Sequence, residues 1–231
     1  MEPWHSAAVT HIGRRTTNED GLLEAPDLRL WAVADGMGGH AHGEVASRTG
    51  LQALKRAVLG GHDLAAAVAA ASRAVWEAAR KAGSDMGTTL VALRLHPDSF
   101  QLAWLGDSRA YRWDGRDLAQ LTTDHTMVQD WVEQGRITAG EARHHPYGHI
   151  LTRAAGLAPE ETAASVTGPL RGDERFLLCS DGLTDTLGDE AMAAILAGAH
   201  PGEAPQRLLE AATAADNPYQ DNLTAVVVYP A

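Results

Sequence analysis

Cysteine is almost missing from this chain. Cys179 is the only one in 231 residues, so no disulfide can close within the chain, and a reducing compartment, the cytoplasm, is the expected setting. Long apolar runs are missing as well: none approaches the ~20 residues of a membrane span. The stretch MEPWHSAAVTHIG has no basic segment followed by an apolar one, so no signal peptide is expected. Basic charge is scarce, with 19 Lys and Arg against 30 Asp and Glu, and the net charge of −11 argues against nucleic acid as a partner. Neither an internal repeat nor a long linker is visible, and the expectation is one domain over 1–231, large enough for a substantial core.

What the chain does contain is apolar pattern. AAVTHIG (7–13) and LRLWAVA (28–34) read as strands joined by a polar segment holding Asn18, Glu19 and Asp20. Val45, Thr49, Ala53 and Ala57 recur at helical spacing over 42–59, and Leu64, Val68, Ala71, Val75 and Ala79 over 62–81. Strands follow at 88–95 and 100–106, then the hairpin of RAYRW and DLAQLT around Asp114-Gly115-Arg116. A less regular segment covers 124–160, with a short helix near 126–134. A strand at 174–180, helices over 188–198 and 203–215, and a final strand at 222–229 complete the pattern. This is not regular βαβ alternation. It predicts an α+β protein in which antiparallel sheet packs on antiparallel sheet with helices outside.

Three of these apolar runs end on an acid: WAVA meets Asp35-Gly36, LAWLG meets Asp107-Ser108, and FLLCS meets Asp181-Gly182. Asp221 sits just before the last strand, and Asp20 lies between the first two. A single Asp-Gly is usually a turn, and Asp114-Gly115 in its amphipathic hairpin reads as one. Several acids at the boundaries of core strands are different, because gathered carboxylates cannot all ionise without cations. Oxygen ligands without cysteine favour Mg²⁺ or Mn²⁺ over zinc. His40 and His42 are two apart and His144 and His145 adjacent, spacings that do not share a helix face; with His149, they read as surface or hydrogen-bonding groups. Gly36 would let the backbone approach an ion, with its carbonyl as a ligand. Arg15, five residues before Asp20, offers a fork that fits a phosphate.

In this order the residues resemble the metal-dependent protein phosphatase family of the protein phosphatase 2C type, in its bacterial stand-alone form. The resemblance is carried by RTTNED (15–20), VADGMGGH (33–40), GTTL (87–90), LGDSRAYRW (105–113), LTTDHT (121–126), LTRAAG (151–156), LCSDGLTD (178–185) and DNLTAVVV (221–228). It implies a central β-sandwich of two antiparallel sheets flanked by helix pairs, a four-layer α-β-β-α arrangement. It implies hydrolysis of phosphoserine and phosphothreonine on proteins, through a water activated between two Mn²⁺ or Mg²⁺ ions. Carried over residue by residue, Asp35 bridges the two metals, Gly36 ligates one through its carbonyl, and Asp181 and Asp221 hold the other. Glu19 and Asp20 act through metal-bound water, Arg15 grips the phosphate, and Asp107 with Asp181 holds a weaker third ion. Residues 124–150 match the variable flap beside the site.

The resemblance further implies phosphoprotein substrates, an opposing Ser/Thr kinase and a monomer. One departure is Met37, where many members carry a histidine proposed as general acid; His40 nearby is given no role. The alternative reading is a catalytically silent relative that binds phosphoproteins, which should have lost metal ligands; a phosphatase of small molecules, or of one specific anti-sigma-factor antagonist, is a further rival.

Overall fold

The computed structural model of the protein describes residues 4–38, 42–143 and 145–231. His40 and His144 lie outside the described residues. The first half of the chain runs β1 (Trp4–His11), β2 (Asp20–Ala25), a short 3-10 turn, β3 (Leu30–Met37), α1 (His42–Leu59) and α2 (Leu64–Ala82). Then come β4 (Gly87–Thr88), β5 (Leu90–Leu95), β6 (Ser99–Leu105), β7 (Arg109–Trp113), β8 (Leu118–Gln120), α3 (Met127–Glu133) and α4 (Ala139–Ala142). The remainder is β9 (Ala164–Pro169), β10 (Arg175–Cys179), α5 (Asp181–Thr184), α6 (Asp189–Gly198), α7 (Ala204–Ala214) and β11 (Leu223–Pro230). One sheet has the order β1-β11-β10-β7-β8; the other has β2-β3-β5-β6-β9, with β4 attached to β3. The strand pairs are antiparallel throughout.

The central strands carry near-continuous apolar runs because both of their faces are covered. In β3, Trp31 and Val33 point between the sheets, while Leu30, Ala32 and Ala34 pack under α1 and α2. In β10 and β11, Phe176, Leu178, Val226 and Val228 fill the space between the sheets, while Leu177, Cys179, Ala225 and Val227 meet α6 and α7. Successive side chains of a strand alternate sides, so one apolar run serves two cores. The four layers and the α+β class predicted from the sequence are those observed.

Helix ends follow local chemistry. Asp63 caps α2, accepting from Ala66 N–H at 2.8 Å, and Gly83 ends it in the left-handed conformation (φ 63°). This moves the predicted start from residue 62 to Leu64. Two strands were not anticipated: β2, inside what reads as a polar connection, and β9. The predicted 88–95 strand is interrupted at Thr89, which separates β4 from β5.

Candidate active site

The space between the sheets stays apolar for most of its length and then turns polar at one end. Along β3 the inward face runs Trp31, Val33, Asp35; on β2 it runs Leu22, Asp20. Opposing them, the inward face of β10 continues from Phe176 and Leu178 to Ser180, and that of β11 runs back from Val226 to Thr224 and Asn222. Thr89 precedes Val91, and Ser108 precedes Ala110. The two-residue period of the strands therefore gathers acids and hydroxyls from both sheets at one mouth.

Asp20 and Asp35 are direct register partners across β2 and β3, so their side chains stand side by side on one face. Asp35 is clamped through its backbone. Its N–H donates to Thr89 Oγ1 (2.9 Å), and its carbonyl accepts from Thr89 N–H (2.8 Å) and Thr88 Oγ1 (2.9 Å). Asp20 Oδ2 accepts from Ser180 Oγ at 2.7 Å. Burial pushes the Asp35 carboxyl well above its ordinary value, and the charges of Asp181, Asp20 and Asp107 push it further. Asp181 is raised in the same way, by burial and then by Asp107, Asp185 and Asp221. Asp20 is raised to about 6 and Asp107 to about 7, burial being the main cause in both. Asp114 behaves in the opposite sense: its carboxylate accepts from the N–H groups of Asp117 and Arg116, which lower its pKa, as befits a turn residue.

Glycine makes two close approaches possible here. A Cβ on Gly36 would stand 2.1 Å from the carbonyl oxygen of Gly43. A Cβ on Gly43 would stand 2.8 Å from the Gly36 carbonyl oxygen and 2.7 Å from Glu19 Oε2. The Gly36 carbonyl and the Glu19 carboxylate thus converge on one cradle at the start of α1, open only because residue 43 has no side chain.

Arg15 donates to Asp221 Oδ2 at 2.5 Å, and that contact raises the guanidinium pKa. The Arg15 side chain is 61% exposed, so this pair is worth at most about 1 kcal/mol and leaves the arginine able to turn to another anion. Arg15, Glu19, Asp35, Gly36, Asp107, Asp181 and Asp221 all line one cleft of about 750 Å³. Asp20, beside Asp35 in the sheet, is not among the residues lining it.

The oxygens fit a hard divalent cation. Asp20 Oδ1 and Asp181 Oδ1 are buried without a hydrogen-bond partner, an arrangement that costs free energy unless a cation or proton answers it. Among the described residues no three His, Cys, Asp or Glu side chains form a complete cage for an ion. Ligation by one or two carboxylates, a backbone carbonyl and water is the pattern Mg²⁺ and Mn²⁺ accept.

Several residues escaped the sequence reading. Asn222 is buried, accepts from Glu19 N–H (2.7 Å), and donates to the carbonyls of Ile12 (2.9 Å) and Thr17 (3.0 Å); it fastens the loop that carries Arg15. Asp185 joins the acid group, its pKa raised first by burial. His125, within LTTDHT, binds both polar groups of Gly106, next to Asp107: its ring accepts from Gly106 N–H and its own N–H donates to the Gly106 carbonyl, each at 3.1 Å. Of the histidines considered above, His145 packs against Trp131 and Tyr147, whereas His149 lines the cleft. Cys179 is fully buried, and burial pushes its thiol up to about 12, so it stays protonated.

Residues 9–215 match the family described as Protein phosphatase 2C. The chain belongs to that family. It is 40% identical over 222 residues to the serine/threonine protein phosphatase PstP of Mycobacterium tuberculosis, covering 92% of this chain but only 42% of the relative. It is 35% identical over 211 residues to the serine/threonine phosphatase stp of Listeria monocytogenes, covering 83% and 82%. The catalytic domain of PstP in complex with two manganese ions superposes with a TM-score of 0.86 at 36% identity, over 99% of both chains.

Proposed function

We propose that this protein is a metal-dependent protein-serine/threonine phosphatase, using two Mn²⁺ or Mg²⁺ ions and a weaker third. The observation that carries the reading is the convergence of Asp35, Asp107, Asp181 and Asp221 with Arg15 on one cleft. The manganese in the PstP structure supports the choice of cation. Two such ions would supply Lewis acidity and an activated water for attack on phosphorus.

The chain's own residues have separable tasks. Asp35, fixed by its backbone clamp, would serve as a ligand to both ions. Gly36 would offer its carbonyl, and Glu19 and Asp20 would act through water. Asp181 and Asp221 would hold one ion, and Asp107 with Asp181 would hold the third. Arg15 leaves its weak pair with Asp221 to bind the phosphoryl oxygens, where charge builds in the transition state. No side-chain nucleophile takes part; Cys179 is buried and protonated.

The biological reading is a cytoplasmic, monomeric signalling enzyme that reverses a bacterial Ser/Thr kinase, with the 124–150 segment as a flap beside the cleft in a single catalytic domain. No helix among the described residues is long and apolar enough to cross a membrane. The silent-relative alternative is disfavoured, because every acid it should have lost is present. The test is phosphate release from phosphoserine and phosphothreonine peptides with Mn²⁺ and with chelator. Metal-dependent release is expected; peptide binding without release would establish the silent alternative.

A further inference from the structure

The same cleft has an apolar part for which phosphoryl transfer has no use. Met37 lies two residues beyond Asp35 on β3, so the two side chains leave the same face. Beyond Asp35 the strand is extended sideways. Met37 pairs with Gly87 and Gly36 with Thr88, and Thr88 is bridged in turn to Ala155 by two hydrogen bonds of 2.9 and 2.8 Å. Leu157 follows that bridge. A Cβ on Gly87 would stand 3.6 Å from Met37 Cγ and 3.3 Å from Leu157 Cδ2, so both side chains border the gap left by a residue that has none. Leu151, held by its bridge to Thr126, lines the same cleft. Leu157 is 49% exposed and lines the cleft together with its carboxylates and threonines.

We propose that Met37, Leu151 and Leu157 form a shelf for an apolar side chain flanking the phosphorylated residue of a protein substrate. The proposal rests on the phosphatase reading above. Three observations favour this occupant. The cleft, at about 750 Å³, is far larger than a phosphoryl group needs and lies within the range of sites that enclose a larger ligand. Its chemistry is divided, with Arg15 and the acids for the phosphoryl group and apolar carbon on the shelf. The spacing is that of a peptide: two residues along a strand is about 7 Å, the distance from one side chain of an extended segment to the next on its face.

The test uses the full chain with Mn²⁺ and phosphothreonine peptides identical except at the positions two residues before and two residues after the phosphothreonine, which carry Leu, Ser or Asp. p-Nitrophenyl phosphate is run alongside with the unsubstituted protein. At one flanking position, Leu should be preferred over Ser by about tenfold in kcat/KM. That ratio should fall to about one in Leu157→Ser and persist in Leu157→Met, with melting curves confirming that both variants fold. A ratio near one in the unsubstituted protein, or a ratio that survives Leu157→Ser, overturns the shelf. A uniform loss on all peptides in Leu157→Ser leaves the ratio intact and overturns it equally. Failure to hydrolyse p-nitrophenyl phosphate or any peptide overturns the phosphatase reading, and the shelf's occupant with it.

Discussion

Ser180, just beyond β10 of one sheet, donates a 2.7 Å hydrogen bond to Asp20 at the start of β2 in the other. The same hydroxyl accepts from Thr224 N–H at 2.9 Å. One oxygen therefore ties the two sheets together at the end where the apolar core gives out. Ser180→Ala strands a buried N–H and removes a donor from a buried carboxylate, a loss of about 1–3 kcal/mol. In a domain of this size each kcal/mol lowers Tm by roughly 2–4 °C. Thermal melts of the two proteins check this; an unchanged midpoint would count against the cross-sheet tie.

The acid cluster sets how metal-free stability depends on pH. Asp107 is raised to about 7 in the folded protein, and Asp35 and Asp181 are raised well above their ordinary value. A carboxyl with a raised folded pKa holds a proton that the unfolded chain has already released, so stability falls as pH rises through the folded value. His125 works the other way: its pKa is lowered to about 4, chiefly by burial, so it costs stability as pH falls below about 6.5. Above pH 6.5 it is neutral in both states. In chelator, Tm should therefore fall between pH 6.5 and 8, and Mn²⁺ should raise it most at the upper end. A flat profile in chelator would contradict the clustering of these acids.

Close backbone approach makes some glycines irreplaceable and others not. A Cβ on Gly182 would lie 2.0 Å from the carbonyl oxygen of Asn222, and one on Gly36 2.1 Å from that of Gly43. Backbone cannot rotate away as a side chain can, so Gly182→Ala and Gly36→Ala should each cost about 3 kcal/mol, the upper end of the usual overpacking range. Gly198, exposed at the end of α6, has nothing within 4 Å of its would-be Cβ. Gly198→Ala should be neutral or stabilising by up to about 1 kcal/mol. Urea denaturation of the three variants tests the contrast.

Arg109 joins β7 to the base of the 124–150 segment. Its guanidinium grips Asp124 with bonds of 3.0, 3.0 and 2.6 Å, and the two side chains are 28% and 14% exposed. Arg109→Leu leaves the Asp124 carboxylate largely buried with no counter-charge, only the Gln120 amide donating to it, and close enough to Asp107 to raise its pKa. The expected cost is about 3 kcal/mol. Adding Asp124→Asn should recover part of it. A double variant no better than the single one would show that the pair is not what stabilises this junction.

The helices and central strands were legible because their patterns are local. Val45 to Ala57 and Leu64 to Ala79 repeat at helical spacing, and β3, β10 and β11 carry near-continuous apolar runs because both of their faces are buried. The strands that escaped, DGLLEA in β2 and ASVTGP in β9, are the two edges of one sheet. Edge strands carry weak apolar pattern and tolerate Gly and Pro. In the site, acids that end central strands stood out in the sequence, because three apolar runs end on one and carboxylates gathered together call for cations. Ser180, Asn222 and His125 did not. Their importance depends on how one sheet is placed against the other and on a loop folded over it, relationships among residues up to 210 positions apart.

The central claim is that Asp35 organises a metal-dependent hydrolytic centre and that no cysteine takes part. Its most direct test is phosphate release from a phosphothreonine peptide, measured with Mn²⁺ and with EDTA, for the unsubstituted protein, Asp35→Asn and Cys179→Ser. Residues that touch a metal only through other groups typically cost 10- to 100-fold when changed, so a shared ligand should cost about a hundredfold or more. The account predicts release that requires Mn²⁺, that is lost in Asp35→Asn, and that persists in Cys179→Ser. Activity that survives EDTA, or that disappears with Cys179→Ser in a folded protein while persisting in Asp35→Asn, would contradict it.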